Sequence, residues 1–529
     1  MSKAFIQYND DATNLWDVEP GRARASLIEL IDRVIDAVPI DVYSVECALP
    51  DLCEHNTRVG EQFGERFGYD EKLNRRLRGI KALREEGADH LSVYIERLHQ
   101  RNIRCVAEVR MSDTHYTRLD PGEPVCAMFD IEHPQWVIRR DDGVAEVALD
   151  YSYPEVRAHR LAIMTELAEQ YDVDGLELNF NRWAKHFDRR EARAKAPVMT
   201  DFVGEIHAML ARAAKRRGRD RLMLGARVLS TLEECLDAGC DPRVWVEKGW
   251  LDYLIVAEYN CTWPGTRVDE FAPFCRGRCK LLAQMGDGNG GVWKGRPAIT
   301  GRGEAMHAGF GACYAGMLLT PAEARGAAHN FYTWGANGIS FWNICCTIGT
   351  RGKQTGQAHR RRMFAWMNEV VDPEKVRRGS RCYHYLPLYK GMDVRPGNYA
   401  VRRALCSPNG AFKGTVLEFT DAMRGVRQVF PFRMADGRQG EALRGELRWR
   451  VLHCPGCNPF TVDINGVTMP AAQLRMEPDE ANVDLGARWL SLDLTQCPPL
   501  RGDNELGLTW IGPIAKSVAY VEELEVMVE

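Results

Sequence analysis

The chain lacks a surplus of either charge. Its 73 acidic and 69 basic residues leave a formal net charge of −4 over 529 residues. No basic stripe interleaved with aromatics runs through it, so nucleic acid is not an expected partner. It also lacks any uninterrupted apolar run near the ~20 residues that cross a bilayer. The start, MSKAFIQYND, has no basic-then-apolar signal layout. A soluble, cytoplasmic protein with no membrane partner is expected. No GxGxxG or GxxxxGK(S/T) follows an early strand, which removes the usual reason to expect a nucleotide. No HxH or HExxH is present either, so neither a metal nor another cofactor is expected.

Cysteine is not scarce, but the 17 residues are scattered. Cys105 and the pair Cys345–Cys346 sit in apolar strand-like runs, where a thiol behaves as a small hydrophobe. Reduced thiols are expected. The single CxxC, Cys454-Pro455-Gly456-Cys457, has no second pair at zinc-ribbon spacing, and a tight turn suits it better than a metal or redox site.

A length of 529 residues exceeds what one core of ~250–300 residues holds, which suggests two or three domains. Apolar strand candidates at 4–10, 41–47, 103–111, 174–180, 222–228, 251–260, 280–286 and 338–343 alternate with helical spacing over 25–37, 80–100, 154–169, 200–216 and 321–334. That rhythm argues for βα units on a parallel sheet, and eight such strands suit a (β/α)8 TIM barrel over residues 1–375. An open doubly wound sheet competes but lacks its nucleotide motif. The fourth strand's preceding helix opens on Ser152-Tyr153-Pro154-Glu155, which reads as a capping box. Long connections at 49–78, 113–149 and 181–199 follow strand ends, where a barrel builds its active site.

After Asp372-Pro373 the texture changes. Short alternating segments at 399–406, 414–420, 426–432, 445–453, 460–466, 488–494, 504–510 and 518–529 are separated by turn residues such as Asn465-Gly466. They predict an antiparallel β-sandwich over residues 376–529.

In a barrel strand alternate side chains point inward, and those near the C-terminal end reach the mouth. Glu177 and Asn179 share one face of the fourth strand, while Leu176, Leu178 and Phe180 take the other. Glu108 and Arg110 pair likewise on the third strand, Ser44 and Glu46 on the second, and Glu258 and Asn260 on the sixth. Arg227 comes from the fifth, and Asp113 stands just beyond the third. Convergent carboxylates suit glycoside hydrolysis, in which one protonates the leaving oxygen and another attacks the anomeric carbon or activates water. Trp183, Tyr259 and Trp342 offer aromatic faces to sugars, and Asn343, His115, Arg182 and His186 offer hydrogen bonds. Glu46 and Glu108 have a plainer role in pairing with Arg110. Glu177 and Glu258 lie on otherwise apolar strands, where an unpaired carboxylate costs several kcal/mol.

The run 149–183, LDYSYPEVRAHRLAIMTELAEQYDVDGLELNFNRW, with AEVRMSDTHY at 107–116, resembles the glycosyl-hydrolase-like (β/α)8-barrel proteins of polysaccharide-degrading bacteria. The C-terminal NGV turn, GDNELGL and final LEVMV strand are similar to the β-sandwich modules appended to them. The resemblance implies site positions at Glu177, Asn179 and Arg182 on the fourth strand, and at Arg110, Asp113 and His115 on the loop after the third. Asn179 stands where the family has aspartate. The glutamate that retaining barrels carry on strand seven has no counterpart, because KLLAQMG offers only Asp287 after it.

The resulting expectation is a glycoside hydrolase acting on an oligosaccharide or polysaccharide fragment. Glu177 is the general acid, and Glu258 or Asp113 is the second carboxylate. Glu108, Arg110, His115, Asn179, Arg182, Trp183, His186, Arg227, Tyr259, Asn260, Trp342 and Asn343 bind substrate, and the sandwich buttresses the barrel. Two alternatives stay open. One is a sugar isomerase, epimerase or lyase using a metal on Glu108, Glu177, Glu258 and a histidine; the other is a carbohydrate-binding protein without turnover.

Overall fold

The computed structural model describes residues 3–115, 118–139, 145–258, 261–289, 317–344, 348, 356–386, 414–513 and 518–529. They form two compact units: 1–260, 266–285 and 335–364 in one, and 261–265, 286–334 and 365–529 in the other.

The first unit is built on eight parallel strands: β1 (Phe5–Asp10), β2 (Val42–Leu49), β3 (Arg104–Arg110), β4 (Gly175–Asn179), β5 (Met223–Val228), β6 (Tyr253–Val256), β7 (Lys280–Met285) and β8 (Gly338–Phe341). They pair in the order β1-β8-β7-β6-β5-β4-β3-β2, and β1 also pairs β2, so the sheet closes into the expected barrel. All eight strands predicted from apolar alternation occur. Val42, Val106, Tyr253, Ile255, Ala257 and Leu282 pack together inside, with Phe5 and Met223 against them. This apolar floor fixes the inward parity of each strand. On β4 it places Glu177 and Asn179 inside and Leu176 and Leu178 outside. On β6 it turns Tyr253 and Ile255 inward, so the expected inward pair Glu258 and Asn260 does not follow from strand parity. Glu258 instead lies beyond the strand end.

The seam between β1 and β8 is tight. Gly338 lies beside Phe5 in register, and a Cβ there would overlap the Phe5 carbonyl oxygen. Gly338→Ala is expected to destabilise the barrel by about 1–3 kcal/mol through overpacking. A lower urea midpoint at unchanged m-value would record it, and an unchanged midpoint would remove the seam from the account.

Two helical expectations are corrected. The helix predicted over 80–100 is two helices, α1 (Arg76–Glu85) and α2 (His90–Gln100). Gly87 takes a left-handed φ of 72° after the first, and the Asp89 carboxylate accepts the Ser92 N–H at 2.8 Å to start the second. The capping box at Ser152–Glu155 does not form. Helix α3 (Pro154–Gln170) begins after Tyr153 with proline in its first turn and no side-chain cap, and the Ser152 N–H donates to Asp150 at 2.7 Å. A reciprocal capping box occurs at Thr320 and Glu323, at the start of α4 (Pro321–Thr333) in the second unit.

The second unit carries the expected antiparallel sheets. Its strands are β9 (Arg381–Tyr385), β10 (Leu417–Phe419), β11 (Arg427–Arg433), β12 (Gly445–Leu452), β13 (Phe460–Ile464), β14 (Val467–Thr468), β15 (Arg475–Pro478), β16 (Arg488–Asp493), β17 (Asp503–Trp510) and β18 (Ala519–Val528). One sheet runs β9-β18-β12-β16-β15 with β10 also on β18, and the other runs β11-β17-β13-β14. Phe430, Val462 and Leu508 from the second sheet share one core with Leu447, Trp449, Leu524 and Val526 from the first. Asn465 and Gly466, with φ of 52° and 82°, make the two-residue turn between β13 and β14. The segment predicted at 399–406 and the pair Cys345–Cys346 lie outside the described residues. Cys454 is buried and Cys457 exposed, both as free thiols. No helix among the described residues is long and apolar enough to cross a membrane.

Candidate functional site

Above the apolar floor the inward positions become polar. Gln7 on β1 donates to both oxygens of Glu177 at 3.2 and 2.9 Å, and the Tyr253 hydroxyl donates to Oε2 at 2.7 Å. Ser340 on β8 donates to the Gln7 carbonyl at 2.6 Å and fixes its amide. Tyr253 has room because residue 225 on β5 is glycine; a Cβ there would overlap its ring. Burial pushes the Glu177 carboxyl up to about 8, and the Glu108 carboxyl beside it adds to the shift. Glu177 is fully buried, at 0% exposure. Neutral donors hold it, and it is as buried as Glu108, Asn179 and Arg227.

The next layer centres on Asn179. Its amide donates to Glu108 Oε1 at 2.7 Å. Its oxygen accepts from the main-chain N–H groups of Asn181 at 3.1 Å and Arg182 at 3.0 Å, and from Arg227 at 3.1 Å. An aspartate could not donate to Glu108, so the amide is what this arrangement requires. Asn9 donates to the other Glu108 oxygen, and burial pushes the Glu108 carboxyl up. Arg227 also donates to Gln284 on β7 at 2.8 Å. It lies 3.6 Å over the Trp342 ring, and burial lowers it to about 9.

The uppermost layer is ionic. Arg110 binds Asp11, Glu46 and Asp113, the last at 2.5 Å. Arg76, from α1, binds Glu46 at 2.7 Å and Glu54 at 2.6 Å. His115 Nδ1 lies 2.5 Å from Asp113 Oδ1, and the His115 main-chain N–H donates to the same oxygen at 2.9 Å. Burial would raise the Asp113 carboxyl, but His115 and Arg110 together hold it well below the usual carboxylate range. The His115 ring meets Trp183 edge-on at 5.6 Å, and its Nε2 lies 3.1 Å from Arg182. Glu258 enters from the loop after β6. Its carboxylate accepts from the Ser230 hydroxyl, and its main-chain oxygen accepts from Gln284 at 2.6 Å.

The contacts therefore link Glu108, Arg110, Asp113, His115, Asn179, Arg182, Trp183, Arg227, Trp342 and the main chain of Glu258, with Glu177 beside Glu108; Asn343, after β8, takes a left-handed φ of 59°. They do not bring in His186. That ring packs against Phe180 and Tyr151, bonds the Ala238 carbonyl at 3.2 Å and is lowered by burial to about 4, as suits a neutral core histidine. Trp342 is fully buried beneath Arg227, so its ring serves the cation and not a sugar face. Tyr259 and Asn260 lie outside the described residues. Gln7, Asn9, Asp11, Arg76, Tyr253 and Gln284 are additions. Gln7 and Asn9 alternate along β1, with Asp11 in step just past its end, and strand parity points to all three; Arg76, from a helix, has no such signal. Among the described residues the one group with metal-ligand spacing, Glu323, His384 and Glu525, belongs to the second unit.

The raised Glu177 carboxyl gives a pH prediction. Its folded value is about 8 against an ordinary 4.5, so between those values the unfolded chain has lost a proton that the native state keeps. Stability therefore falls as pH rises through that window. Glu177→Gln carries no such proton and should flatten the fall by on the order of 1 kcal/mol or more. Urea unfolding at the two ends of the window measures it; parallel losses in both proteins would contradict the protonated state.

A closed parallel barrel with its polar side chains gathered above an apolar floor defines the chain as a (β/α)8-barrel protein with C-terminal antiparallel sheets. Residues 69–191 match the family model described as Glycosyl hydrolase-like 10, a stretch that includes Glu108 through His186 of the candidate positions. No curated protein sequence matches the chain. Similar solved structures include alpha-L-fucosidase isoenzyme 2 from Paenibacillus thiaminolyticus, at 12% identity and a TM-score of 0.40, covering 72% of this chain and 51% of that one. The PgaB (BpsB) glycoside hydrolase domain from Bordetella bronchiseptica is similar at 12% identity and a TM-score of 0.42, covering 70% and 99%. The Ostrinia furnacalis Group IV chitinase in complex with allosamidin is similar at 11% identity and 0.41, covering 70% and 99%.

Proposed function

We propose that the chain is a glycosidase acting on an oligosaccharide or polysaccharide fragment, with a catalytic barrel over residues 1–375 and an accessory sandwich over 376–529. The observation that carries this reading is one polar network centred on Asn179: Arg227 joins it to the main chain of Glu258, and Arg182 joins it to the Asp113–His115 couple, with Trp183 edge-on to His115. Two proton-handling groups beside an aromatic edge and hydroxyl-binding side chains are what glycosidic cleavage needs. The match of residues 69–191 to a glycosyl-hydrolase-like family supports it. Glu177 serves this reading as a protonated brace that holds β1, β4 and β6 in register, because Gln7 and Tyr253 both donate to its carboxyl.

A second reading, sugar binding without turnover, is favoured by one observation: Glu46, Glu108 and Glu177 are all engaged by internal donors. The test is a panel of defined oligosaccharides incubated with the full chain, with products followed by NMR at the anomeric carbon. Release of a reducing end supports the glycosidase; saturable binding with no bond cleaved supports the second reading and rejects the first.

A further inference from the structure

Asp113 is the better-paired member of its couple, and that argues against its handling protons. Oδ2 accepts from Arg110 at 2.5 Å, and Oδ1 accepts both the His115 main-chain N–H and the His115 ring. A carboxylate so committed stays ionised and is a weak base, whereas catalysis of proton transfer is best served by a group that titrates near the working pH. The imidazole beside it is the more accessible of the two. Its side chain is 32% exposed, against 4% for Asp113. A guanidinium can only donate, so Arg182 beside Nε2 makes that nitrogen an acceptor and assigns the ring proton to Nδ1, facing Asp113.

We infer that His115, and not Asp113, is the general base of this barrel, with Asp113 as its positioning residue and Arg182 keeping Nε2 unprotonated. The inference rests on the glycosidase reading. In the step it implies, a water held at Nε2 in place of the Arg182 contact gives its proton to that nitrogen as its oxygen bonds to the anomeric carbon. The glycosidic C–O bond breaks with its electron pair, and the leaving oxygen takes the proton of the Glu258 carboxylic acid. His115 then returns its proton through solvent to the Glu258 carboxylate. Attack by water on the face opposite the leaving group inverts the anomeric configuration. Burial and the Arg182 charge hold the imidazole below its ordinary value, so turnover should rise with pH through a limb below that value.

The test uses the full chain and whichever oligosaccharide of the panel it cleaves. His115→Ala is expected to lose about 10²- to 10⁴-fold in turnover, with activity partly restored by added imidazole. Asp113→Asn is expected to keep the fold and move the acid limb to lower pH, because the charge that favours the imidazolium is gone. Nitrogen NMR of the wild-type ring should find it neutral at neutral pH, with its proton on Nδ1. A His115→Ala enzyme that keeps turnover, or is not rescued by imidazole, overturns the inference while leaving the glycosidase reading intact; retention of configuration does the same. A wild type that cleaves no sugar overturns both.

Discussion

Glu258→Gln is expected to lower turnover of a cleaved oligosaccharide by about 10²- to 10⁴-fold, the usual contribution of one positioned acid or base. The carboxylate stands beyond β6, bonded to Ser230 and only 8% exposed. An amide of the same shape keeps the Ser230 contact as an acceptor but has no proton to give a leaving oxygen. KM should change little, since the main-chain oxygen that Gln284 holds is untouched. Substrates with a good aryloxide leaving group should suffer least, because they need no protonation. Steady-state kinetics on an alkyl and an aryl glycoside of the same sugar separate the outcomes. Equal losses on both would assign Glu258 to binding or folding, and no loss on either would remove it from the site.

Arg110→Met is expected to cost about 3–5 kcal/mol of stability, the range for a buried charge cluster deprived of one partner. The guanidinium is fully buried and answers three carboxylates, those of Asp11, Glu46 and Asp113. Methionine fills the space but leaves those charges facing one another. Arg76 still serves Glu46 and His115 still serves Asp113, while Asp11 keeps only Arg182 at 3.8 Å, the most distant of the remaining ion pairs. Arg110→Lys should fall between, since one ammonium cannot match a planar fork that reaches two sides at once. Urea unfolding of the three proteins measures the series. A loss under about 1 kcal/mol for Arg110→Met would mean that the carboxylates take up protons or water at little cost, contrary to the closed network.

The fold was largely legible because its physical signals are local. Eight apolar runs with turn residues between them sufficed to place the barrel strands, and Asn465-Gly466 marked a hairpin through a conformation that few residue pairs adopt. What escaped was set by contacts distant in sequence. In the sequence Glu258 extends the alternation of β6, while the floor contacts of Tyr253 and Ile255 decide which face turns inward. Strands β9 and β15 begin on charged residues, Arg381 and Arg475, which break the apolar alternation that marks a strand. On the candidate site, parity gathered Glu108, Arg110, Asn179 and Arg227 onto the inner wall. It gave no warning that His186, a few residues past β4, turns back against Phe180. Nor did it show that Glu177 is capped by a tyrosine across the barrel, since that contact depends on the missing side chain of Gly225. The substitution of Asn179 for the family's aspartate looked like a lost carboxylate in the sequence. Its two-sided hydrogen bonding, donating to Glu108 and accepting from Arg227, makes it a junction that an acid could not provide.

The seam that joins Phe5 to Gly338 also sets a timetable. At ~5–20 residues per second, the ribosome needs roughly 15–65 s after making β1 to supply the strand that covers its second edge. Until then that edge has no strand to pair with, and any sheet already formed has unpaired main-chain groups at its margins, a surface that invites pairing with neighbouring chains. Slow translation lengthens the exposure. Production in a heterologous host should therefore gain more from chaperones that shield growing chains than from any change to the finished, closed barrel.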